Sequence, residues 1–123
     1  MGLFSKLFGR GVFEPKESAE HALIVHFRYG QSSLDPLHAL EEKLRIAISQ
    51  ADVGEYDGHE IAMDLRDGSL YMFGPDAYNL YSAVESILEN SGFMIGATAR
   101  LRFGPPAEGV REELIVIKPP STS

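Results

Sequence analysis

The chain has 123 residues, 44% of them hydrophobic, which is enough to give one globular domain a sizeable core. Its formal net charge of −7, from 18 acidic and 11 basic side chains, argues against nucleic acid and favours basic partners. The absence of cysteine excludes disulfides, zinc-thiolate sites, iron–sulfur clusters and cysteine nucleophiles.

Residues 1–20, MGLFSKLFGRGVFEPKESAE, read as an amphipathic N-terminal arm and linker. As a helix, Leu3, Phe4, Leu7 and Phe8 would form one apolar stripe, suited to docking or to weak peripheral contact with a membrane surface. The acylation pattern Met-Gly-x-x-x-Ser/Thr is missed, because Lys6 stands where the hydroxyl belongs. No apolar run reaches the roughly 20 residues of a membrane-spanning helix and no signal-peptide pattern occurs, so cytoplasmic location is the expectation.

A single α+β domain is expected over residues 21–118. Ala22 to Tyr29, ALIVHFRY, reads as a strand ended by Gly30. Asp35 then reads as an N-cap with Pro36 at the first helical position, and Leu37, Leu40, Leu44, Ala47, Ile48 and Ala51 recur at helical spacing to about Gln50. A loop, DVGEYDG, precedes a strand in which Ile61, Met63 and Leu65 alternate with polar residues, and Asp67-Gly68 reads as a tight hairpin turn. Leu70 to Phe73 is the returning strand. Pro75 or Asp76 opens a second helix with Ala77, Leu80, Tyr81, Val84, Ile87 and Leu88 on one face, ending near Ser91-Gly92. MIGATARLRF is a fourth strand, GPPAEG a loop, REELIVIK, Arg111 to Lys118, a fifth strand, and residues 119–123 a disordered tail.

The order β-α-β-β-α-β-β is a ferredoxin-like arrangement with an added C-terminal strand: an antiparallel sheet with two helices on one face, the first and third strands central, the last hairpin extending an edge. If Leu23, Val25 and Phe27 face the helices, His26 and Arg28 face away, joined by Arg100 and Arg102. Either Tyr71 and Phe73 or Leu70 and Met72 complete that face. His26, Arg28, Tyr71, Phe73, Arg100 and Arg102 are therefore the candidate interaction surface. A base-stacking role for it finds little support in DGSLYMF, where the basic residue that opens the RNA-recognition motif is replaced by Asp67. Asp52, Glu55, Asp57, Glu60, Asp64 and Asp67 form a candidate acidic patch able to steer a basic partner.

The Gly-Pro corner in LYMFGPDAY reads as a turn rather than a phosphate cradle, since Pro75 has no N–H and Asp76 places negative charge where an anion would sit. The four histidines show no H-x-x-x-H pair, and no cofactor or metal is expected. His26 and His59, beside Glu60 or Asp64 on the outer sheet face, are the only candidates for proton transfer.

Taken together, YDGHE (Tyr56 to Glu60), LYMFGPDA (Leu70 to Ala77) and LRFGPP (Leu101 to Pro106) resemble small uncharacterised bacterial proteins of ferredoxin-like α+β type. The resemblance implies a fold and a bacterial origin, and no activity. The expected function is a noncatalytic protein-interaction module, immunity- or antitoxin-like in its acidity, with an unidentified protein partner or a second copy paired through an edge strand or sheet face. The alternatives are a small-molecule sensor, with its ligand on the sheet face or at a dimer interface, and an enzyme built on a sheet-face histidine.

Overall fold

The computed structural model describes residues 20–120. The proposed arm residues Leu3, Phe4, Leu7 and Phe8, and the tail from 121 onward, lie outside them. The elements follow the order β1 (His21–Arg28), α1 (Asp35–Ala51), β2 (Glu55–Ile61), β3 (Asp67–Gly74), α2 (Ala77–Glu89), a 3-10 turn (Gly92–Met94), β4 (Thr98–Arg102) and β5 (Glu112–Val116). All strand pairs are antiparallel and the order across the sheet is β2-β3-β1-β4-β5. The chain is thus α+β, with a five-stranded antiparallel sheet and two α-helices.

The period-2 alternation of β1 divides the sheet into two faces. Leu23, Val25 and Phe27 are buried, as are their cross-strand neighbours Leu70, Met72, Ala99 and Leu101. Against them pack Leu37, Leu40, Leu44 and Ile48 from α1 and Ala77, Leu80, Tyr81, Val84 and Leu88 from α2. Residues spaced three and four apart fall on one side of each helix, so burying that stripe fixes both helices on this face. Met94, fully buried in the 3-10 turn, closes the end of the core.

Several local readings are corrected. Asp35 is not the N-cap of α1; Leu34 is, without a side-chain bond, and Ser33 Oγ accepts from Asp35 N–H at 3.3 Å, with Pro36 in the first turn. Asp67-Gly68 is not a turn but the start of β3, and the hairpin tip is residues 62–66, where Leu65 takes φ +61°. Ala62 N–H to Asp67 O, 2.9 Å, and Leu65 N–H to Ala62 O, 2.8 Å, close that tip and throw Met63 fully into solvent. Gly68 is small for a packing reason: a Cβ there would come within 2.7 Å of the Phe27 ring and 2.9 Å of Ile61 Cδ1.

The stretch read as a loop, DVGEYDG, contains half of β2, which begins at Glu55. Its pairing with β3 shifts between Tyr56 and Gly58, a β-bulge, with Gly58 at φ +136°. A bulge adds one unpaired residue and so reverses the face of everything beyond it. That single device defeats the alternation used on the sequence and decides where His59 points.

Candidate functional site

The face of the sheet away from the helices can be built row by row from the pairing register. One row runs Glu60, Ser69, His26, Thr98, Val116; the next Gly58, Tyr71, Ile24, Arg100, Leu114; the third Glu55, Phe73, Ala22, Arg102, Glu112. The choice left open by the sequence is settled: Tyr71 and Phe73 lie on this open face, half-buried, and Leu70 and Met72 are in the core. All six residues of the candidate interaction surface share it, with Arg28 opposite Asp67 at its end.

Cations therefore occupy the centre, aromatics one flank, and Leu114 and Val116, 63% and 53% exposed, the β5 edge. Ile115 and Ile117 of the same strand point the other way: Ile115 is partly buried and Ile117 is 1% exposed, so only Leu114 and Val116 of this edge strand present apolar side chains to the open face. Tyr71 O–H donates to Glu60 Oε1 at 2.8 Å, and desolvation followed by this bond raises the phenol above its ordinary value. Partial burial lowers the Arg102 guanidinium, whose Nε–H donates to Gly104 O at 2.6 Å. Arg100 Nε is buried without a hydrogen-bond acceptor among the described residues, a state that costs free energy unless something supplies one.

The acidic candidates gather at the opposite edge. Asp52 caps the C-terminus of α1 in a left-handed conformation, Glu55, Asp57 and Glu60 lie on β2, Asp64 sits in the hairpin tip and Asp67 opens β3; all six are exposed. Among the described residues, Asp64 alone of the six meets a cation in an ion pair, Arg66 at 3.7 Å. The open face is thus basic along its middle and acidic along the β2 edge.

At one end of the face His26, Arg28, Glu60, Asp67, Ser69 and Thr98 border an open hollow of about 610 Å³. His26 Nδ1 lies 2.7 Å from Ser69 Oγ. A nucleophilic serine also needs a group to orient its base and donors for the developing oxyanion. Among the described residues no carboxylate is hydrogen-bonded to His26, and the neighbouring backbone N–H groups of β1 and β3 serve the ladder. The hollow is lined by these polar side chains together with Phe27, Ile61 and Ala97.

The expectation that His59, like His26, lies on the outer sheet face beside Glu60 or Asp64 is corrected. The bulge at Asp57 sends Tyr56 and His59 to the same, helix-covered side, opposite Met72 and Leu70. There both reach Glu41 of α1: Tyr56 O–H donates to Glu41 Oε2 at 2.5 Å, and His59 Nδ1 lies 2.7 Å from the same oxygen, which makes Nδ1 the protonated ring nitrogen. Glu41 is 7% exposed. Arg45 lies 5.3 Å from the centre of the Tyr56 ring, and the His38 ring 6.2 Å from that of His59. Burial, then the bond and charge of Glu41, raise the Tyr56 phenol far above its ordinary value and keep it neutral. Glu41 was legible in principle, since it occupies an apolar-stripe position, four after Leu37 and three before Leu44. A carboxylate on such a stripe demands a partner, but only the bulge names it.

The aromatic-glycine corner is punctuation. Asp76 caps α2 by accepting from Tyr78 and Asn79 N–H at 2.8 and 3.2 Å, and His21 Nδ1 accepts from Ala77 N–H at 3.0 Å. The helix N-terminal donors are therefore engaged, leaving none for a phosphate. Gly74 itself is required by packing, because a Cβ would fall 2.1 Å from Val53 O. Among the described residues no group of three side chains is arranged to hold a metal ion, and no helix is long and apolar enough to cross a membrane. Compared with family models, curated proteins and solved structures, the chain has no significant match.

Proposed function

We propose that the chain is a ferredoxin-like β-α-β-β-α-β module with one added edge strand, noncatalytic, that binds a protein through its open sheet face. The observation that carries this reading is the apolar pair Leu114 and Val116, 63% and 53% exposed, alongside Arg100 with its unanswered buried Nε. A partner with apolar side chains over that pair and a carbonyl or carboxylate over Arg100 would remove both deficits at once. The acidic β2 edge would meet basic side chains on the same partner and speed encounter. An acidic, cytoplasmic, immunity- or antitoxin-like protein of bacterial origin is the specific form of this proposal, in line with the resemblance of its motifs.

The test is photo-crosslinking from position 114 in the cells that make the protein, repeated with Arg100→Ala and Val116→Asp. The expected result is one protein captured by the parent chain and lost from both variants. Capture that is unchanged by both replacements would sink the reading.

A second reading rests on the hollow of about 610 Å³ beside His26, Arg28 and Ser69: a small-molecule sensor taking a polar ligand there. Bound ligand raises the melting temperature through mass action. A metabolite that raises it for the parent chain and not for His26→Ala would favour sensing over protein binding.

A further inference from the structure

The two edges of the sheet are not equivalent, and the difference bears on self-association. The β2 edge carries a bulge, Gly58 at φ +136° and the carboxylates Glu55, Asp57 and Glu60. Bulges and like charges are devices that block pairing with another strand, and two copies meeting there would face carboxylate against carboxylate. The β5 edge has no bulge, and its carboxylates, Glu112 and Glu113, lie at one end of the strand and leave Leu114 to Val116 uncharged. It pairs with β4 in unbroken register from Glu112 to Val116, and its apolar side chains Leu114 and Val116 are exposed.

The backbone of β5 fixes which groups face outward. Ile117 N–H donates to Ala97 O at 2.9 Å and Ile117 O accepts from Gly96 N–H at 2.8 Å, while Arg111 O accepts from Phe103 N–H at 3.0 Å. Odd-numbered residues of β5 therefore spend their backbone groups on β4. By strand alternation the N–H and C=O of Glu112, Leu114, Val116 and Lys118 point to the free edge.

We infer that β5 pairs antiparallel with β5 of a second copy about a two-fold axis at Ile115. In this register Leu114 lies opposite Val116 of the other copy, and Glu112 opposite its Lys118. Symmetry repeats each pair, so a two-residue apolar stripe is closed at both ends by opposite charges on the open face. All four pairs are of the hydrogen-bonded kind, because both members carry edge-facing groups. Ile115 meets its own counterpart on the helix side, covering a side chain that one copy leaves partly exposed.

The neighbouring registers satisfy the same backbone parity but fail on side chains. With the axis at Leu114, Glu112 would face Val116. With the axis at Val116, Leu114 would face Lys118 and Glu112 would face Pro120, which has no N–H to give. Charge complementarity thus selects one register and one occupant, a second copy of this chain. The paired sheet aligns the two open faces side by side, a consequence independent of whatever protein those faces bind.

The experiment uses the full chain, whose lack of cysteine makes single-cysteine variants clean probes. Across the two-fold position the Cα atoms of a non-hydrogen-bonded pair lie about 4.5 Å apart, within reach of a disulfide, while residues displaced by one pair lie beyond its limit of about 7 Å. Ile115→Cys is therefore expected to form a covalent dimer under mild oxidation, and Leu114→Cys and Val116→Cys are not. In sedimentation velocity, Glu112→Lys and Lys118→Glu each raise the dissociation constant about tenfold, and the double reversal restores it. Circular dichroism melting confirms that each variant is folded. A parent chain monomeric at every concentration, crosslinking through position 114 or 116 instead of 115, or a double reversal weaker than either single one, would each overturn the inference. Loss of protein capture with the dimer intact would instead strike at the proposed function and leave this register standing.

Discussion

The two edges of one sheet handle their polar and apolar groups in opposite ways. On the β2 side a carboxylate, Glu41, is taken into the interior and given two donors, Tyr56 and His59. On the β5 side two aliphatic residues are exposed and the guanidinium N–H of Arg100 finds no acceptor among the described residues. The first arrangement is complete in itself and needs nothing from outside. The second is incomplete as a monomer, and incompleteness of that kind is what a binding surface offers.

The contrast is broken most severely at Glu41. Glu41→Ala leaves a buried phenol and imidazole without their shared acceptor and opens space beneath β2, so urea unfolding is expected to show a loss of about 3 kcal/mol. A loss below about 0.5 kcal/mol would mean that the three side chains do not act as a unit. Gly68→Ala tests the packing of the same side of the sheet, because its methyl would collide with the Phe27 ring and Ile61. Overpacking of this kind costs about 2 kcal/mol, measurable as a lowered melting temperature.

A smaller effect sharpens the picture through pH. The folded state holds the Tyr56 proton more tightly than an unfolded chain does, whose phenol ionises near 10. Its contribution is fully present below that value and is lost as pH rises above it, since unfolding then releases a proton. Tyr56→Phe should be about 1 kcal/mol less stable at neutral pH and show a shallower alkaline decline. Burial also raises the phenols of Tyr71 and Tyr81, so the decline will shrink without vanishing. Identical alkaline slopes for parent and variant would refute the account.

The smallest stability effect is expected at the other edge. Leu114→Asp should change unfolding free energy by less than about 0.5 kcal/mol, because the side chain is already in water. Association, through β5 or with a partner, should nevertheless collapse. A Leu114→Asp chain that is strongly destabilised yet still associates would reverse the comparison on which both proposals stand.

Much of the scaffold could be read from residue spacing. The 3.6 period of Leu37, Leu40, Leu44 and Ile48 names α1 and its buried side, and of the two openings read for α2, Pro75 or Asp76, the structure has Asp76 as the cap. Alternation along β1 separates Leu23, Val25 and Phe27 from Ile24, His26 and Arg28, as the burial of each shows. The open-face candidates His26, Arg28, Arg100 and Arg102 follow from that alternation alone. The hairpin went astray because Asp67-Gly68 carries a strong turn signal, whereas the glycine is small to clear an aromatic ring from the next strand. Propensity rules see a residue's backbone freedom and are blind to the neighbour that requires its lack of a side chain.

Residue spacing alone is enough for the order of the elements and for the buried sides of β1, α1 and α2, because those periodicities are local and each lies within a single segment. Only the tertiary structure decided that Tyr71 and Phe73 lie outward and that His59 leaves His26 for Glu41. It also decided that the β2 edge is broken by a bulge while β5 pairs in regular register. Each of these depends on register between strands far apart in the chain, and one extra residue at the β2 bulge is enough to reverse the side on which the chemistry appears.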